Sequence, residues 1–309
     1  MTGYILKRLV SMVITLLLVI TLTFCMMHAV PGGPFTAEKA LQPEVEKALR
    51  AKYHLDDPLW RQYTDYLLGI LRLDFGPSFK YPGVTVNELI RKGFPVTFKA
   101  GVLAVLLVVF AGIPLGIVAA VKQNKWQDAV VMVMATVGVA IPSFVLATII
   151  LYFFALKLGW LPTFGVTHWS GYILPVVALA GFWLAFVARL TRSSLLDVLQ
   201  QDYMVTARSK GLYQHQILLK HGLKNALIPV ITVLGPVAAN LLCGSFVVEQ
   251  IFALPGIGKY FVQSISNRDY TTIMGITIFY AAFLIVMVFI VDLFYVFIDP
   301  RIKFGKSTG

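Results

Sequence analysis

Charged residues are scarce in this chain of 309 residues. Asp, Glu, Lys and Arg together make up 13% of it, about half of the roughly 25% found in soluble domains. The apolar set AVILMFWYC makes up 58%. This balance excludes a disordered chain, a coiled coil and an ordinary soluble enzyme. It predicts an all-α polytopic membrane protein.

Cysteine is nearly absent, and histidine shows no metal-binding pattern. Cys25 and Cys243 both lie in apolar runs, so they predict neither a disulfide framework nor a thiolate metal site, and we interpret them as small apolar filler. The five histidines show none of the spacings of zinc sites: His28, His54, His168, His215 and His221. The sequence therefore predicts no metal ligands.

A nucleotide site is also missing from the sequence. The terminal GKSTG at 305–309 matches the end of a phosphate-binding loop, but Pro300 stands where its first glycine is required. The same letters fit G-x-S-x-G, although no strand precedes them and no helix follows. Both matches are attributed to chance. We expect no catalytic residue and no bound cofactor in this chain, so any ATP must be hydrolysed by another chain.

Six apolar stretches are long enough to cross a bilayer as helices, since a crossing takes about 20 residues. They cover 9–30, 100–121, 129–156, 172–191, 227–252 and 273–298. The third and fifth are longer than a crossing needs, which predicts tilt or a part outside the bilayer. Prolines and glycines inside the stretches, among them Pro114, Pro142 and Pro229, indicate either close helix packing or bends.

The basic residues predict the orientation in the membrane. In the short connections, 13 lysines and arginines fall on one side and three on the other, and the richer side is cytoplasmic by the positive-inside rule. Both termini are then cytoplasmic. The first stretch is too long for a signal peptide and lacks a cleavage site, so 1–30 is predicted to be an anchor helix. The net charge is +11, but the basic residues lie between the apolar stretches and form no basic face suited to nucleic acid.

The connection 31–99 is predicted to be an extracytoplasmic loop with short helices. Asp57 followed by Pro58 is a helix start, with an Asp cap and proline in the first helical position. Thr85 and Glu88 form a capping-box pattern before a short helix that Gly93 and Pro95 are expected to stop. The remainder, 100–309, is predicted to be a five-helix core.

One cytoplasmic loop, 192–226, has a pattern of its own. Its residues Leu195, Leu199, Tyr203 and Ala207 recur every four positions and predict one apolar helix stripe. Gly211 is placed to end that helix in the left-handed conformation, and a second helix is predicted from about 214 to 223. The alternative is a solvated basic loop that only fixes topology. An ordered corner of this length favours docking into a cleft of a cytoplasmic partner.

Two acidic residues lie near the ends of membrane spans, where ionisable groups are costly. Asp292 is interpreted as structural, paired with Arg189 or Arg192. Glu249 precedes the turn that contains Pro255 and Gly256. For this second group, a structural role and a role in a gate or in contact with cargo remain equally open.

The loop resembles the EAA loop of ATP-binding-cassette (ABC) importer permeases, whose pattern is E-A-A, three residues and glycine. Thr206, Ala207, Arg208 and Gly211 match it in the form of the peptide and nickel subgroup. Segments along nearly the whole chain fit the same subgroup: VPGGPF at 30–35, LDFGPSF at 73–79, EQIFALPGIGKYF at 249–261 and RDYTTIMG at 268–275. The stretch DFGPSFKYPGVTVNELI is similar to the B-type subunit of oligopeptide permeases.

The resemblance implies a type I importer permease in a bacterial cytoplasmic membrane that translocates oligopeptides. It implies a second homologous permease subunit, two ATPase subunits that bind ATP and magnesium, and an extracytoplasmic peptide-binding protein. The ATPase-coupling residues carried over are Thr206, Ala207, Arg208, Lys210, Gly211 and Leu212. Gly211 would hold the corner, and Ala207 would keep the docking face slim. For Arg208 and Lys210 two interpretations remain open, contact with acidic groups of the partner and solvated charges that only fix topology. The alternatives are a dipeptide or nickel importer permease and an ion-coupled secondary transporter.

Overall fold

The computed structural model describes residues 2–31, 54, 56–81, 83–166 and 168–298. The GKSTG at 305–309, most of VPGGPF and the first part of the loop 31–99 lie outside the described residues. In chain order, the described helices begin with α1 Thr2–Ala29, α2 Leu59–Leu71, α3 Val86–Val121, α4 Trp126–Ala140, α5 Ser143–Lys157 and α6 Ile173–Leu199. Then follow α7 Asp202–Ser209; α8, which joins Gln214–Gln216, the π-helical Ile217–Gly222 and Leu223–Cys243; α9 Phe246–Ile251; α10 Ile257–Asn267; and α11 Tyr270–Ile298.

The predicted crossings are present among the described residues. Five stretches are long and apolar enough to span a membrane, and the bent pair α4–α5 makes a sixth if it counts as one span. The bend is 111° and falls at Pro142. The proline forces Ile141 out of the helical region, to φ −87° and ψ 121°. Of the two interpretations of Pro142, packing or bend, the structure supports the bend.

Two helices are longer than the sequence predicted. The short helix expected at 85–93 and the span expected at 100–121 are one helix, α3, and neither Gly93 nor Pro95 stops it. Gly93 serves close packing instead, because a Cβ there would lie 2.8 Å from the Ile257 nitrogen. The helix α6 runs past the predicted end at 191 as far as Leu199, since Leu195 is fully buried beside Ala120 and Ala226.

The start of α2 also differs from the prediction. Pro58 occupies the N-cap position with an extended ψ of 141°, so the helix begins one residue later, at Leu59. The Asp57 carboxylate lies 3.4 Å from Nε of Arg61. The capping box before α3 is confirmed in part, because the Glu88 N–H donates to Thr85 Oγ1 at 3.3 Å.

The described helices group into two compact units. One consists of Met1–Thr97 and Pro255–Val286, and the other of Phe98–Leu254 and Met287–Gly309. The domains predicted at 1–30, 31–99 and 100–309 were defined by membrane crossings, whereas these units are defined by compactness. The predicted domains therefore stay a prediction. In the first unit, an apolar cluster of Val86, Ile90, Ile257 and Ile276 forms the core.

The second unit is organised around α6. The helices α4, α5 and α8 and the second half of α3 all pack against it. Small residues permit the approach: a Cβ on Gly116 would lie 2.5 Å from the Ala188 carbonyl oxygen, and one on Gly112 would lie 3.2 Å from the Leu184 carbonyl oxygen. Membrane helices commonly pack backbone to backbone through such residues. The helix α6 therefore forms the centre from which the 192–226 segment extends.

Candidate functional site

The predicted corner at Gly211 is present in the structure. The helix α7 ends at Ser209, and Gly211 takes φ +76°, a conformation that glycine adopts without a Cβ penalty. Its N–H donates to the Arg208 carbonyl at 2.9 Å, one of the two bonds of a Schellman motif. The chain then turns through the extended Tyr213 into α8. The result is a helix, a tight corner and a second helix.

The inner side of the corner is fixed by an apolar cluster. Met204, Ala207 and Ile217 are buried together, with Leu199 packed against them. Ala207 is 7% exposed, so its small side chain packs within this chain, and its role in keeping a docking face slim stays a prediction. The corner therefore has an internal support that joins α7 to the start of α8.

The predicted four-residue stripe is only partly correct. The helix breaks at Gln200 and Gln201, between α6 and α7, so a single helical period does not continue through the segment. Tyr203 is 42% exposed and Met204, one position later, is fully buried. The Tyr203 hydroxyl accepts a hydrogen bond from Asn225 Nδ2 at 2.9 Å, which ties α7 to α8 by a polar contact.

The outer side of the corner is exposed and basic. Thr206, Arg208, Lys210, Gly211 and Leu212 are all exposed, and the Thr206 hydroxyl donates to the Asp202 carbonyl at 3.1 Å. A cavity of about 580 Å³ lies beside the corner, between the end of α6 and the start of α8. Arg208, Gln123, Gln214 and His215 are among its lining residues. Five of the six predicted coupling residues thus face solvent, and their coupling role stays a prediction.

An ion pair that the sequence analysis missed lies next to this segment. Arg192 on α6 donates through Nε and Nη2 to the two carboxylate oxygens of Asp128 on α4, at 2.6 and 2.7 Å. The Asn124 N–H also donates to Asp128, at 3.0 Å, and Asn124 has φ +62°. The pair holds the corner between α3 and α4 against α6. Asp292 was expected to pair with Arg189 or Arg192, and Arg192 binds Asp128. Asp128 is recognisable in the sequence as an acid in the first turn of an apolar helix.

The predicted gate residues belong to different units, Glu249 to the second and Pro255 and Gly256 to the first. Glu249 is 3% exposed on α9, which follows a sharp turn at Gly244 with φ +76°. Gly256, at the start of α10, is buried, and Pro255 is exposed. The next residue, Ile257, donates its N–H to Thr97 Oγ1 at 3.1 Å. The role of these residues in a gate or in cargo contact stays a prediction.

A buried acid joins two segments that had been singled out from the sequence. Asp269, in RDYTTIMG, is 1% exposed and accepts hydrogen bonds from the Ser78 hydroxyl at 2.5 Å and the Phe79 N–H at 3.1 Å, both in LDFGPSF. It also accepts from the Thr272 hydroxyl at 2.8 Å. Several donors of this kind stabilise a buried carboxylate. Asp269 therefore fixes the loop before α3 to the start of α11.

Comparison with known proteins gives matches over nearly the whole chain. Residues 112–304 match the family model described as "Binding-protein-dependent transport system inner membrane component", and residues 1–99 match its N-terminal companion. The dipeptide transport system permease protein DppB of Bacillus subtilis is 49% identical, covering 99% of this chain and all of that protein. The oligopeptide transport system permease protein OppB of Salmonella typhimurium is 45% identical, covering 98% and 100%.

Two solved transporters share the fold. The MetNI methionine ABC transporter in inward-facing conformations superposes with a TM-score of 0.54 at 17% identity, covering 68% of this chain and 96% of the solved one. An amino acid ABC transporter crystallised with histidines gives 0.52 at 21% identity, covering 70% and 95%. The all-helical membrane fold is thus the fold of importer membrane subunits.

Proposed function

Because the chain belongs to the family of binding-protein-dependent transport system inner membrane components, we propose that it is a permease subunit of an ABC importer that carries peptides inward. The observation that carries the mechanism is the exposed glycine corner at Gly211 on its buried support. This corner docks in a groove of a partner ATPase. ATP-driven closure of the ATPases then moves α7 and, through the Met204–Ala207–Ile217 cluster, α8.

The exposed residues of the corner contribute to docking in two ways, through their shape and through their charge. Gly211 gives a tight turn without a side chain, and a partner surface can approach its backbone closely. Arg208 and Lys210 present positive charge to acidic groups of the ATPase, while Leu212 and Tyr213 present apolar surface. ATP and magnesium bind to the partner ATPases, and this chain contributes no catalytic group.

The proposed complex contains a second homologous permease subunit, two ATPase subunits and an extracytoplasmic peptide-binding protein. We expect these chains to co-purify with the protein from its native membrane in mild detergent, as identified by mass spectrometry. Recovery of the chain alone, or as a homodimer without an ATPase, would contradict the docking role of the corner. An ion-coupled carrier that uses Glu249 and Asp292 would then be the better hypothesis.

The corner itself is tested by Gly211→Val. Valine at positive φ is strained by about 1–3 kcal/mol, so we expect the complex to assemble and hydrolyse ATP while transport per ATP falls. The expected fall is about 5- to 150-fold, the range of typical coupling free energies. The matched control is Gly159→Val. Gly159 has φ +64° and surroundings as open as those of Gly211, but it lies outside the 192–226 segment. Equal losses in both variants would remove the corner from the mechanism.

The cargo is proposed to be peptide, with oligopeptides as the first candidate. The relatives support both sizes, since the one at 49% identity is named for dipeptides and those at 45% for oligopeptides. Competition during uptake of a labelled tetrapeptide separates the candidates. Inhibition by other tetrapeptides, with little effect of dipeptides or Ni²⁺, is the expected result, and dominant inhibition by dipeptides would support the alternative.

A further inference from the structure

The helix α2 exposes an apolar face that the proposed function does not use. Trp60, Leu68 and Leu71 are 69%, 52% and 80% exposed. At 3.6 residues per turn they fall within about 80° of one another around the helix. Thr64 lies between them, and its hydroxyl donates to the Arg61 carbonyl at 2.9 Å, which satisfies it within the helix. Arg61, Asp65 and Arg72, also exposed, form a separate polar strip beside them. A short helix with apolar and charged faces side by side is typical of a helix that lies along a membrane surface.

The third face of α2 contacts the outer part of α1. The Tyr63 hydroxyl and Thr21 Oγ1 share a hydrogen bond of 2.7 Å, and His28 Nε2 lies 3.2 Å from Gln62 Oε1. Between them, the Phe24 ring lies 5.2 Å from the Tyr63 ring, centroid to centroid. The helix α2 therefore crosses α1 at about the level of Phe24.

The level of this crossing can be compared with the membrane. The apolar span of α1, Ile5–Ala29, has 25 residues, which is about 37 Å of helix against a hydrocarbon core of about 30 Å. Phe24 lies five residues before the end of this span, which is about 7 Å at the helical rise. Even if the whole excess length of α1 projects at this end, α2 lies at the boundary of the hydrocarbon core. Any other placement sets α2 deeper.

We propose that α2 is an interfacial helix whose Trp60–Leu68–Leu71 face is buried in the lipid of the leaflet where α1 ends. An apolar crevice of about 510 Å³ between α1 and α2 continues this face, with Phe24, Leu59 and Trp60 among its lining residues, and lipid acyl chains enter it. Tryptophan is favoured at this depth because its ring is apolar and its N–H is polar. The polar strip with Arg61 and Arg72 faces the headgroups.

Lipid is the occupant that fits both the depth and the division of the surface. A protein that docks from the aqueous side has to cover charged surface as well, because the polar strip lies directly beside the apolar face. The exposed surface of α1 is also apolar along its length, with Leu18 and Leu22 more than half exposed. The apolar face of α2 continues that surface outward.

Spin-label accessibility tests the proposal in the assembled transporter, reconstituted in vesicles of phosphatidylethanolamine and phosphatidylglycerol. After Cys25→Ser and Cys243→Ser, nitroxide labels are attached at Leu68→Cys and Asp65→Cys, a matched pair three residues apart. Collisions with oxygen report lipid, and collisions with a water-soluble nickel chelate report water. We expect an oxygen-to-chelate ratio about tenfold higher at 68 than at 65, which corresponds to about 1.4 kcal/mol of differential partitioning.

The other occupants give different results. High chelate collision at both positions would place the apolar face in water and overturn the proposal. Low collision with both reagents at 68 would show that another protein chain covers the face, and would also overturn it. Where a substitution prevents assembly, the neighbouring pair Trp60→Cys and Arg61→Cys gives the same comparison.

Discussion

At the scale of single residues, the Asp128–Arg192 pair is a two-bond ion pair beside the 192–226 segment. Both donor contacts are 2.7 Å or shorter, and the Asp128 side chain is 6% exposed. Removing one member of such a pair leaves the other charge desolvated and without its counter-charge, which costs more than the pair itself contributes. The pair thus fixes the α3–α4 corner to α6, directly before the chain reaches α7.

We predict that Asp128→Ala lowers the free energy of unfolding by about 3 kcal/mol, measured by denaturant titration of the purified protein in detergent. The double variant Asp128→Ala with Arg192→Met should lose less, because no desolvated charge remains. The exposed pair Asp57–Arg61 is the control, and Asp57→Ala should cost less than about 1 kcal/mol. If the single and double variants lose equally, the pair does not act as a unit.

Sequence reasoning identified the corner at Gly211 but not its internal support. A glycine after a helical pattern predicts positive φ from local chemistry alone, and Gly211 confirms it. Whether position 203 or position 204 is buried depends on the helix break at Gln200 and Gln201. No proline or glycine marks that break in the sequence. Partners distant in sequence, such as Asp128 and Arg192, are set by helix packing and are not visible in local patterns.

At the scale of helices, glycine determines how closely α3 and α6 approach. The missing Cβ of Gly116 leaves room for the Ala188 carbonyl oxygen and for the Thr191 side chain, whose Cβ would lie 2.6 Å from an added methyl group. A Cβ added to Gly3, on α1, would have no atom within 4 Å. The two glycines share one helical conformation and differ in their surroundings.

We therefore predict opposite effects for the same substitution. Gly116→Ala should destabilise the protein by about 1–3 kcal/mol, because the added methyl group overpacks the contact with α6. Gly3→Ala should be neutral or stabilising by up to about 1 kcal/mol, from helix propensity. Thermal unfolding of both variants under the same conditions measures the difference. A Gly116→Ala variant as stable as Gly3→Ala would show that α3 and α6 separate without cost.

Helix existence was predictable and helix length was not. Apolar run length identified the crossings because the bilayer imposes it, and Pro142 marked the bend. The ends of α3 and α6 were missed because tertiary packing continues both helices beyond their apolar runs. At Leu195 that packing is against Ala120 and Ala226, and at Gly93 it is against the backbone of Ile257. Residues that stop an isolated helix do not stop one whose extension is buried.

At the scale of the whole molecule, charge placement and the coupling corner make one joint prediction. The 13 basic residues of the short connections on one side predict that the 192–226 segment and both termini are cytoplasmic. Only that orientation lets the Gly211 corner reach a cytoplasmic ATPase. The same rule predicts that α2, one crossing away from the N-terminus, lies at the outer leaflet.

The orientation is tested by labelling single cysteines with a membrane-impermeant maleimide, in a background that carries Cys25→Ser and Cys243→Ser. Lys210→Cys should react in inside-out vesicles from which the ATPase subunits have been removed and be protected in right-side-out vesicles, because the uncovered corner then faces the reagent only from the cytoplasmic side. Asp65→Cys, exposed on the polar strip of α2, should show the opposite pattern. The two sites control for each other, since both are accessible once detergent is added. Labelling of Lys210→Cys from outside would contradict both the orientation and the coupling role together, because a corner outside the cell cannot contact an ATPase that binds cytoplasmic ATP.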